Sequence, residues 1–519
     1  MPESTLINIK PRKYQQEIYN TCKDHNCLVV LPTGIGKTLI ALMLSIYQQK
    51  KFPATKILFL APTRPLAQQH LEYFKKHLPE LFAEMTLFTG KINAEKRKQL
   101  WQKSDVIFST PQCISNDLKK QLYTLEEVSL LIEDECHRCL KNYAYTYVAD
   151  IYKGQAENQK ILGLTASPGA DKKTINQISK NLGINAIELR TRDSEDVKEY
   201  LQELEFEIIR LDFPEKFDKI RNALRTILNR KADELKKRKL LFGPITKKNL
   251  LDAQKMIMAA ISSGNKHFNL LSGASACAQT IKLYHALELL ETQTLFSFHD
   301  YIQDLFEQAR LKKSKAVVQL VKQTEFNYAY TILMELLAKK QEHPKLEEIK
   351  KIIKQNIESN PKTKIIIFSQ YRSTVAKICK EANKIKGINS RIFVGQAKKI
   401  TKSGESGLSQ KEQHEIINQF KQGEINILCA TSIAEEGLDI PEVNAVIFYE
   451  PIPSAIRKIQ RAGRTARLMK GKLIMLITRN TRDEAYYYSA FHKEKKMYKA
   501  IESMKQDLEN KKNNQQTLF

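Results

Sequence analysis

Two stretches of the chain force the same architecture. From Asn26 to about Arg190, short apolar runs alternate with longer helical patterns, as "NCLVVLP", "KILFLAP", "DVIFST", "SLLIEDE" and "KILGLTASP". The alternation returns after about Pro344 as "KIIIFSQ", "SRIFVGQ", "NILCATS", "NAVIFYE" and "KLIMLIT". Such continuous apolar runs suit strands covered on both faces, which is the condition of a parallel sheet with crossover helices. The expected fold class is therefore α/β with two parallel-sheet domains, and 519 residues exceed what one hydrophobic core usually organises.

Between the two blocks, from roughly Phe213 to Tyr330, strand signals vanish and apolar residues recur at helical spacing, as at Ile220, Leu224, Ile227 and Leu228. This predicts an α-helical insertion. The domains are read as 1–200, 213–332 for the insertion, 333–492, and a basic tail over 493–519. After about Ala490 the chain is lysine-rich and helical, and its end, "NKKNNQQTLF", has the composition of a segment disordered in isolation.

Charge points to the partner. Lys and Arg outnumber Asp and Glu by 84 to 58, a net charge of +26, which favours a polyanion such as nucleic acid over a small neutral ligand. The excess is concentrated in the insertion, where Lys216 to Lys255 holds 13 Lys/Arg against four Asp/Glu. Arg225, Arg230, Lys236, Lys237, Arg238 and Lys239 in this segment are read as an electrostatic grip on duplex or a fork. The eight cysteines are scattered through a chain too large to need disulfide staples, which fits reduced thiols of the cell interior. The start resembles no signal peptide and no apolar run approaches a membrane span, so a soluble, cytoplasmic, nucleoid-associated protein without a membrane partner is expected.

One strand leads into chemistry directly. "LVVLPTGIGKT", Leu28 to Thr38, places an apolar run before a tight glycine-containing turn that opens a helix. In the turn that Pro32 opens, backbone N–H groups of Thr33, Gly34 and Gly36 would converge on phosphate oxygens at a helix N-terminus. Lys37 would reach the β- and γ-phosphates and the Thr38 hydroxyl a magnesium ion. Leu31 departs from the general pattern, which has its first Gly there. Downstream, "LIEDECHRCL" ends an apolar run in carboxylates, where a phosphate-loop enzyme needs one acid beside magnesium and another to activate water. Asp134 takes the first role and Glu135 the second. A zinc site on Cys136 and Cys139 is rejected, because four ligands are required and no second CxxC or HxxxH stands elsewhere.

PTGIGKT, DECH, "TASPG" (Thr165 to Gly169) and "QRAGRTAR" (Gln460 to Arg467), in this order, resemble the motif set of the superfamily 2 helicases. "EEGLDIPEVNAVIFYEPIPSAIRKIQRAGRTAR" and "FVGQAKK" are similar to one branch, the archaeal Hef helicases and their Fanconi anaemia M relatives, and the resemblance covers almost the whole chain. It implies two RecA-like domains with ATP in the cleft between them. Arg464 and Arg467 match the arginine-finger motif, Gln460 would position the attacking water, and Asp439 would approach the ribose. Arg12, Tyr14 and Gln15 in "PRKYQQ" resemble the adenine-recognition element, although the adjacent Gln16 leaves the choice of amide open.

The same resemblance implies a DNA track across both domains. Thr63 and Arg64, Thr89 and Thr110 match strand-contact motifs in the first, and Gln370, Arg372, Gln396 and Thr431 in the second; contacts of this kind hold phosphates without reading sequence. Thr165 and Ser167 match the motif that couples hydrolysis to strand movement. Gln515 to Phe519, "QQTLF", resembles a shortened sliding-clamp peptide. No nuclease or helix-hairpin-helix region is recognisable, so strand cutting would fall to a separate nuclease partner.

These readings imply an ATP- and Mg2+-dependent DNA helicase or translocase acting on forked or branched DNA in replication-fork repair and recombination. An RNA-directed helicase of the Dicer or RNA-sensor type is the first rival, since those proteins share DECH and a helical insertion. A non-catalytic DNA-binding scaffold is the second, and the intact Lys37, Thr38, Asp134, Glu135, Arg464 and Arg467 speak against it.

Overall fold

The structure is a computed structural model that describes residues 5–169, 171–201, 203–265, 267–395, 407–432, 440–452, 454 and 471–516, with the side chains of 511–516 left undescribed. It has two all-parallel sheets with a helical bundle between them in sequence.

The first sheet contains β1 (Cys27–Val30), β2 (Lys56–Leu60), β3 (Met85–Phe88), β4 (Val106–Ser109), β5 (Val128–Asp134), β6 (Ile161–Thr165) and β7 (Ala186–Leu189) in the order β3-β4-β2-β5-β6-β1-β7. Successive side chains point to opposite faces, so neighbouring apolar residues enter different cores. Val29, Leu31, Phe59 and Ile132 pack on one face, and Leu28, Val30, Leu58, Leu60 and Leu131 on the other. Both faces being apolar is what made these runs continuous in sequence.

The second sheet takes β8 (Leu204–Leu211), β9 (Ile365–Phe368), β10 (Ser390–Phe393), β11 (Ile427–Ala430), β12 (Ala445–Phe448) and β13 (Gly471–Thr478) in the order β10-β11-β9-β12-β13-β8. β8 was not anticipated. It lies between the regions read as the first domain and the insertion, yet it pairs with β13 from Leu204↔Gly471 to Leu211↔Thr478. Lys472 on β13 meets Glu207 at 2.7 Å and Glu205 at 3.5 Å across the pair. The chain therefore crosses to the second domain, adds an edge strand, and only then builds the insertion.

The insertion packs its helices around Leu224, Ile227, Leu287, Leu290, Phe298, Leu305, Phe326, Leu333 and Leu336. A boundary at 332 is thus corrected: the Thr324–Ala338 helix runs through it, and its last turns bury Leu333 and Leu336 in the bundle. The second domain resumes with the Pro344–Ser359 helix, whose Pro at the first position costs no hydrogen bond. Lys345 is fully buried at this joint, ion-paired to Asp483, donating to Thr292 O at 3.2 Å and lying over the Tyr449 ring.

The expectation of a separate tail over 493–519 is also corrected. One helix runs from Arg482 to Gln516, so the backbone of the lysine- and asparagine-rich end is helical up to that point. It buries Met497, Ala500, Ile501 and Met504 in the first domain, in the same core as Tyr145, Ile178, Leu182 and Ile187. Lys172 of the first domain reaches its Asp507 at 2.8 Å. At its start, Tyr486 donates to Glu288 and Arg482 pairs with Glu291 of the insertion. This helix touches all three parts of the molecule. No helix among the described residues is long and apolar enough to cross a membrane.

Candidate nucleotide site and strand track

The phosphate turn closes on itself through its own chemistry. Leu31 needs no glycine-like backbone: its N–H continues the sheet ladder to Thr165 O at 3.1 Å and its side chain is buried, which accounts for the missing first Gly. Gly34 and Gly36 both have φ +85°. At Gly36 that left-handed backbone disfavours any side chain, and the movable end of the Gln15 side chain occupies the place a Cβ would take. Lys37 opens the Lys37–Lys51 helix and donates to Leu31 O at 3.0 Å and Pro32 O at 3.4 Å.

Gln15, rather than Gln16, is the amide brought to this turn. Its Nε2 lies 3.3 Å from Ile35 O and 3.4 Å from Gly36 O, and its Oε1 accepts from Arg12 N at 2.8 Å. Tyr14 of the same element donates to Ile35 O at 2.6 Å, and the Arg12 guanidinium sits 4.8 Å over the Tyr200 ring. The segment read as the adenine-recognition element is therefore bound to the back of the phosphate turn.

The three acids of the "LIEDE" run separate by environment. Glu133 is fully buried, and burial pushes its carboxyl well above the ordinary range. Asp134 ends β5. Burial works to raise its carboxyl, but the His70 hydrogen bond and charge, the Lys37 charge and the Glu135 N–H outweigh it and hold it low. Glu135 adopts φ 53°, ψ 43°, a left-handed backbone that is strained for a residue with a side chain. Tyr145 braces the turn by donating to Asp134 O at 2.7 Å.

His137 Nδ1 stands 3.2 Å from both Glu135 Oε2 and Thr165 Oγ1, and its hydrogen bond goes to Thr165. Glu135 Oε2 is thereby left buried without a hydrogen-bonded partner, as is Thr33 Oγ1. Thr165 Oγ1 accepts from Ser167 N at 3.1 Å, and Ser167 donates to Met497 Sδ at 2.9 Å. The coupling residues thus join the acids to the C-terminal helix, a contact no local motif announced.

Magnesium is implied by this site, and the donors fit it. Thr38 and Asp134 offer hydroxyl and carboxylate oxygen, the hard ligands of a hydrated magnesium ion. They are joined by His70, also missed in sequence: Nδ1 lies 3.4 Å from Thr38 Oγ1 and Nε2 2.9 Å from Asp134 Oδ2. Cys136 and Cys139 are buried, and burial pushes both thiols up, away from the thiolate a metal would need.

The residues read as strand contacts occupy equivalent places in the two sheets. Thr63, Thr89 and Thr110 follow β2, β3 and β4, three adjacent strands, and Thr63 and Thr110 precede helix starts. Gln370, Gly395 and Thr431 follow β9, β10 and β11, again three adjacent strands. Thr63 Oγ1 is buried without a hydrogen-bond partner, Thr89 O accepts from Arg97 at 3.4 Å, and Thr431 N donates to Phe393 O at 3.1 Å. Gln370 is exposed and Arg372 donates to Gly395 O at 2.8 Å. Arg64, Gln68, Gln69 and Glu72 face Gln410, Lys411, His414 and Lys421 across a cleft of about 480 Å³ between the domains.

The insertion's basic residues sort differently. Arg225 pairs with the buried Glu291, Arg230 with Glu325 and Arg238 with Glu234, each at 3.0 Å. These three arginines tie helices of the bundle to one another or to their own helix. Lys237, Lys239, Lys248 and Lys255 are exposed with no ion pair among the described residues. Gln396, Asp439, Gln460, Arg464 and Arg467 lie outside the described residues, as do residues 517–519 of the clamp-like peptide.

Three family models match consecutive parts of the chain: "Type III restriction enzyme, res subunit" over residues 8–170, "Putative ATP-dependent RNA helicase, helical bundle" over 216–342, and "Helicase conserved C-terminal domain" over 344–469. The Pyrococcus furiosus Hef helicase domain is similar in structure at a TM-score of 0.70 and 42% identity, covering 92% of this chain and 98% of that one. The "Putative ATP-dependent RNA helicase MJ1505" of Methanocaldococcus jannaschii is 39% identical over 96% of this chain and 61% of its own length. The ATP-dependent DNA helicase fml1 of Schizosaccharomyces pombe is 33% identical over 93% of this chain and 59% of its own length. The Fanconi anemia group M protein homolog of Mus musculus is 31% identical over 96% and 26%. The chain thus spans about three fifths or less of these curated relatives.

Proposed function

Because the chain belongs to the Hef and Fanconi anaemia M branch of the superfamily 2 helicases, we propose that it hydrolyses ATP to move along or separate strands of forked or branched DNA. The observation that carries this reading is the pair of acids at the end of β5, of which Asp134 is tied through His70 to Thr38 of the Lys37–Thr38 turn.

Magnesium, when bound, neutralises charge on the β- and γ-phosphates. Thr38 and Asp134 would hold it, Lys37 would leave its carbonyl partners for phosphate oxygens, and Glu135 Oε2, buried and without a hydrogen-bonded partner, would take the proton of the attacking water. From the second domain, Arg464 and Arg467 would stabilise the transferring phosphoryl group, Gln460 the water and Asp439 the ribose. Closure of the cleft once per ATP would shift the Thr63, Arg64, Thr89 and Thr110 contacts relative to Gln370, Arg372, Gln396 and Thr431. The free lysines of the insertion would hold the duplex beside the fork. We place the protein with DNA in the cell interior, with the QQTLF segment as a clamp-binding peptide and a nuclease as a further partner.

RNA is the second reading, favoured by the description of the MJ1505 relative and of the helical-bundle family as RNA helicases. The test measures ATP hydrolysis by wild type and Glu135→Gln with single-stranded, duplex and forked DNA and with duplex RNA, at two salt concentrations. Fork-stimulated turnover that Glu135→Gln abolishes is expected. Preferential stimulation by RNA would transfer the protein to the RNA-directed class, and equal activity in both forms would sink the site assignment.

A further inference from the structure

The helix that begins at the strand-contact residues also reaches the magnesium site. It runs from Arg64 to His77, and His70 lies six residues beyond Arg64, about 9 Å along the axis at ~1.5 Å per residue. His70 is 7% exposed, with its ring centroid 4.4 Å from that of Phe59. Its two nitrogens meet Asp134 Oδ2 and Thr38 Oγ1, the groups that would hold the cation. An ionised carboxylate only accepts, so Nε2 must carry the proton given to Asp134. Nδ1, on the other side of the ring, lies 3.4 Å from the Thr38 hydroxyl oxygen. The two contacts together hold one Asp134 carboxylate oxygen and the Thr38 hydroxyl oxygen against a single ring.

Ligands of a metal are commonly oriented by such outer partners, but one side chain serving both of them here comes from the strand-contact helix. We infer that His70 is a positioning residue that sets Thr38 and Asp134 for the magnesium–nucleotide and ties that setting to strand contact at Thr63 and Arg64. This rests on the reading of the chain as a strand-stimulated ATPase. A hydrogen-bonded helix moves as a unit, so a displacement at its first turn carries the imidazole relative to both ligands together. The competing explanation is that His70 only fills space beside Phe59.

Three substitutions separate these explanations. His70→Phe keeps a ring against Phe59 and removes both nitrogens. In His70→Gln the terminal amide reaches the place of Nε2 and can donate to Asp134; in His70→Asn it reaches only the place of Nδ1. Manganese binding in the presence of ADP, followed by the electron paramagnetic resonance of free Mn2+, reads the site without turnover. The ratio of fork-stimulated to basal hydrolysis reads the link, and the thermal midpoint checks the fold.

H70F is expected to weaken Mn2+ binding by about 10-fold or more, the usual effect of losing an outer-shell partner, and to lower the stimulation ratio. H70Q should bind Mn2+ more tightly than H70N. Wild-type Mn2+ affinity and stimulation in H70F would overturn the inference. If H70F does not fold, equal affinities in H70Q and H70N would overturn it, and tighter binding in H70Q would support it. A wild type with no strand-stimulated turnover would refute the functional reading and the link, while the Mn2+ titration would still decide the positioning role.

Discussion

Removing Lys237, Lys239 and Lys248 together should flatten the salt dependence of fork binding, whereas removing Arg225 should not. All four residues lie in the basic part of the insertion, but their surroundings differ. The lysines are exposed with no ion pair among the described residues. Arg225 is spent on Glu291, a carboxylate with no exposed surface that also pairs with Arg482. A cation that neutralises a phosphate releases condensed counterions and adds about 0.9 to the slope of log affinity against log salt, so three contacts contribute about 2.7. Over a change from about 50 to about 200 mM salt, a slope of that size corresponds to roughly 40-fold in affinity. The triple Lys→Ala variant should therefore lag wild type by about 40-fold more at the lower salt than at the higher, as measured by fluorescence anisotropy with labelled forked DNA. Arg225→Ala should leave the slope unchanged and lower the thermal midpoint, because the buried Glu291 loses a charged partner worth about 1–3 kcal/mol. A slope reduced as much by Arg225→Ala as by the triple variant would refute the assignment, and so would a triple variant with the wild-type slope.

Two further outcomes concern the joints between domains. Lys345→Met removes the cation from a pair with no exposed side-chain surface and should cost about 3–5 kcal/mol by stranding Asp483, with much of the loss recovered when Asp483→Leu is added. Differential scanning calorimetry reads both forms, and a fully additive double variant would show that the two residues do not act as a pair. Ile501→Ala should cost about 2–5 kcal/mol where the C-terminal helix enters the first domain, and should expose the lysines around it to trypsin before the rest of the chain. Unchanged proteolysis would mean that the helix is held by its other contacts.

What the sequence displayed and what it hid differ in the distance between partners. The phosphate turn, the acids of β5 and most strands were legible because each signal is contained in about a dozen residues: an apolar run buried on both faces, then a group that chemistry requires at its end. β8 was overlooked because an edge strand is only half covered, so "LEFEIIRL" mixes acids with apolar residues, and its partner β13 stands at the far end of the chain. Charge counting found the basic segment but could not see that Arg225 and Arg230 have carboxylates waiting on other helices, at Glu291 and Glu325. The spacing of Met497, Ile501 and Met504 marks an amphipathic helix without saying which domain receives it. His70 carries no local signal, since it becomes informative only beside Thr38 and Asp134. These hidden contacts are the ones that join distant parts of the site: His70 links the helix proposed to contact the strand to the residues proposed to hold the cation, and Met497 links Ser167 to a helix anchored on the insertion. Local motifs specify the chemical groups a motor must possess. Communication between its strand and nucleotide sites depends on long-range packing, and substitutions that leave every motif intact can therefore uncouple the two.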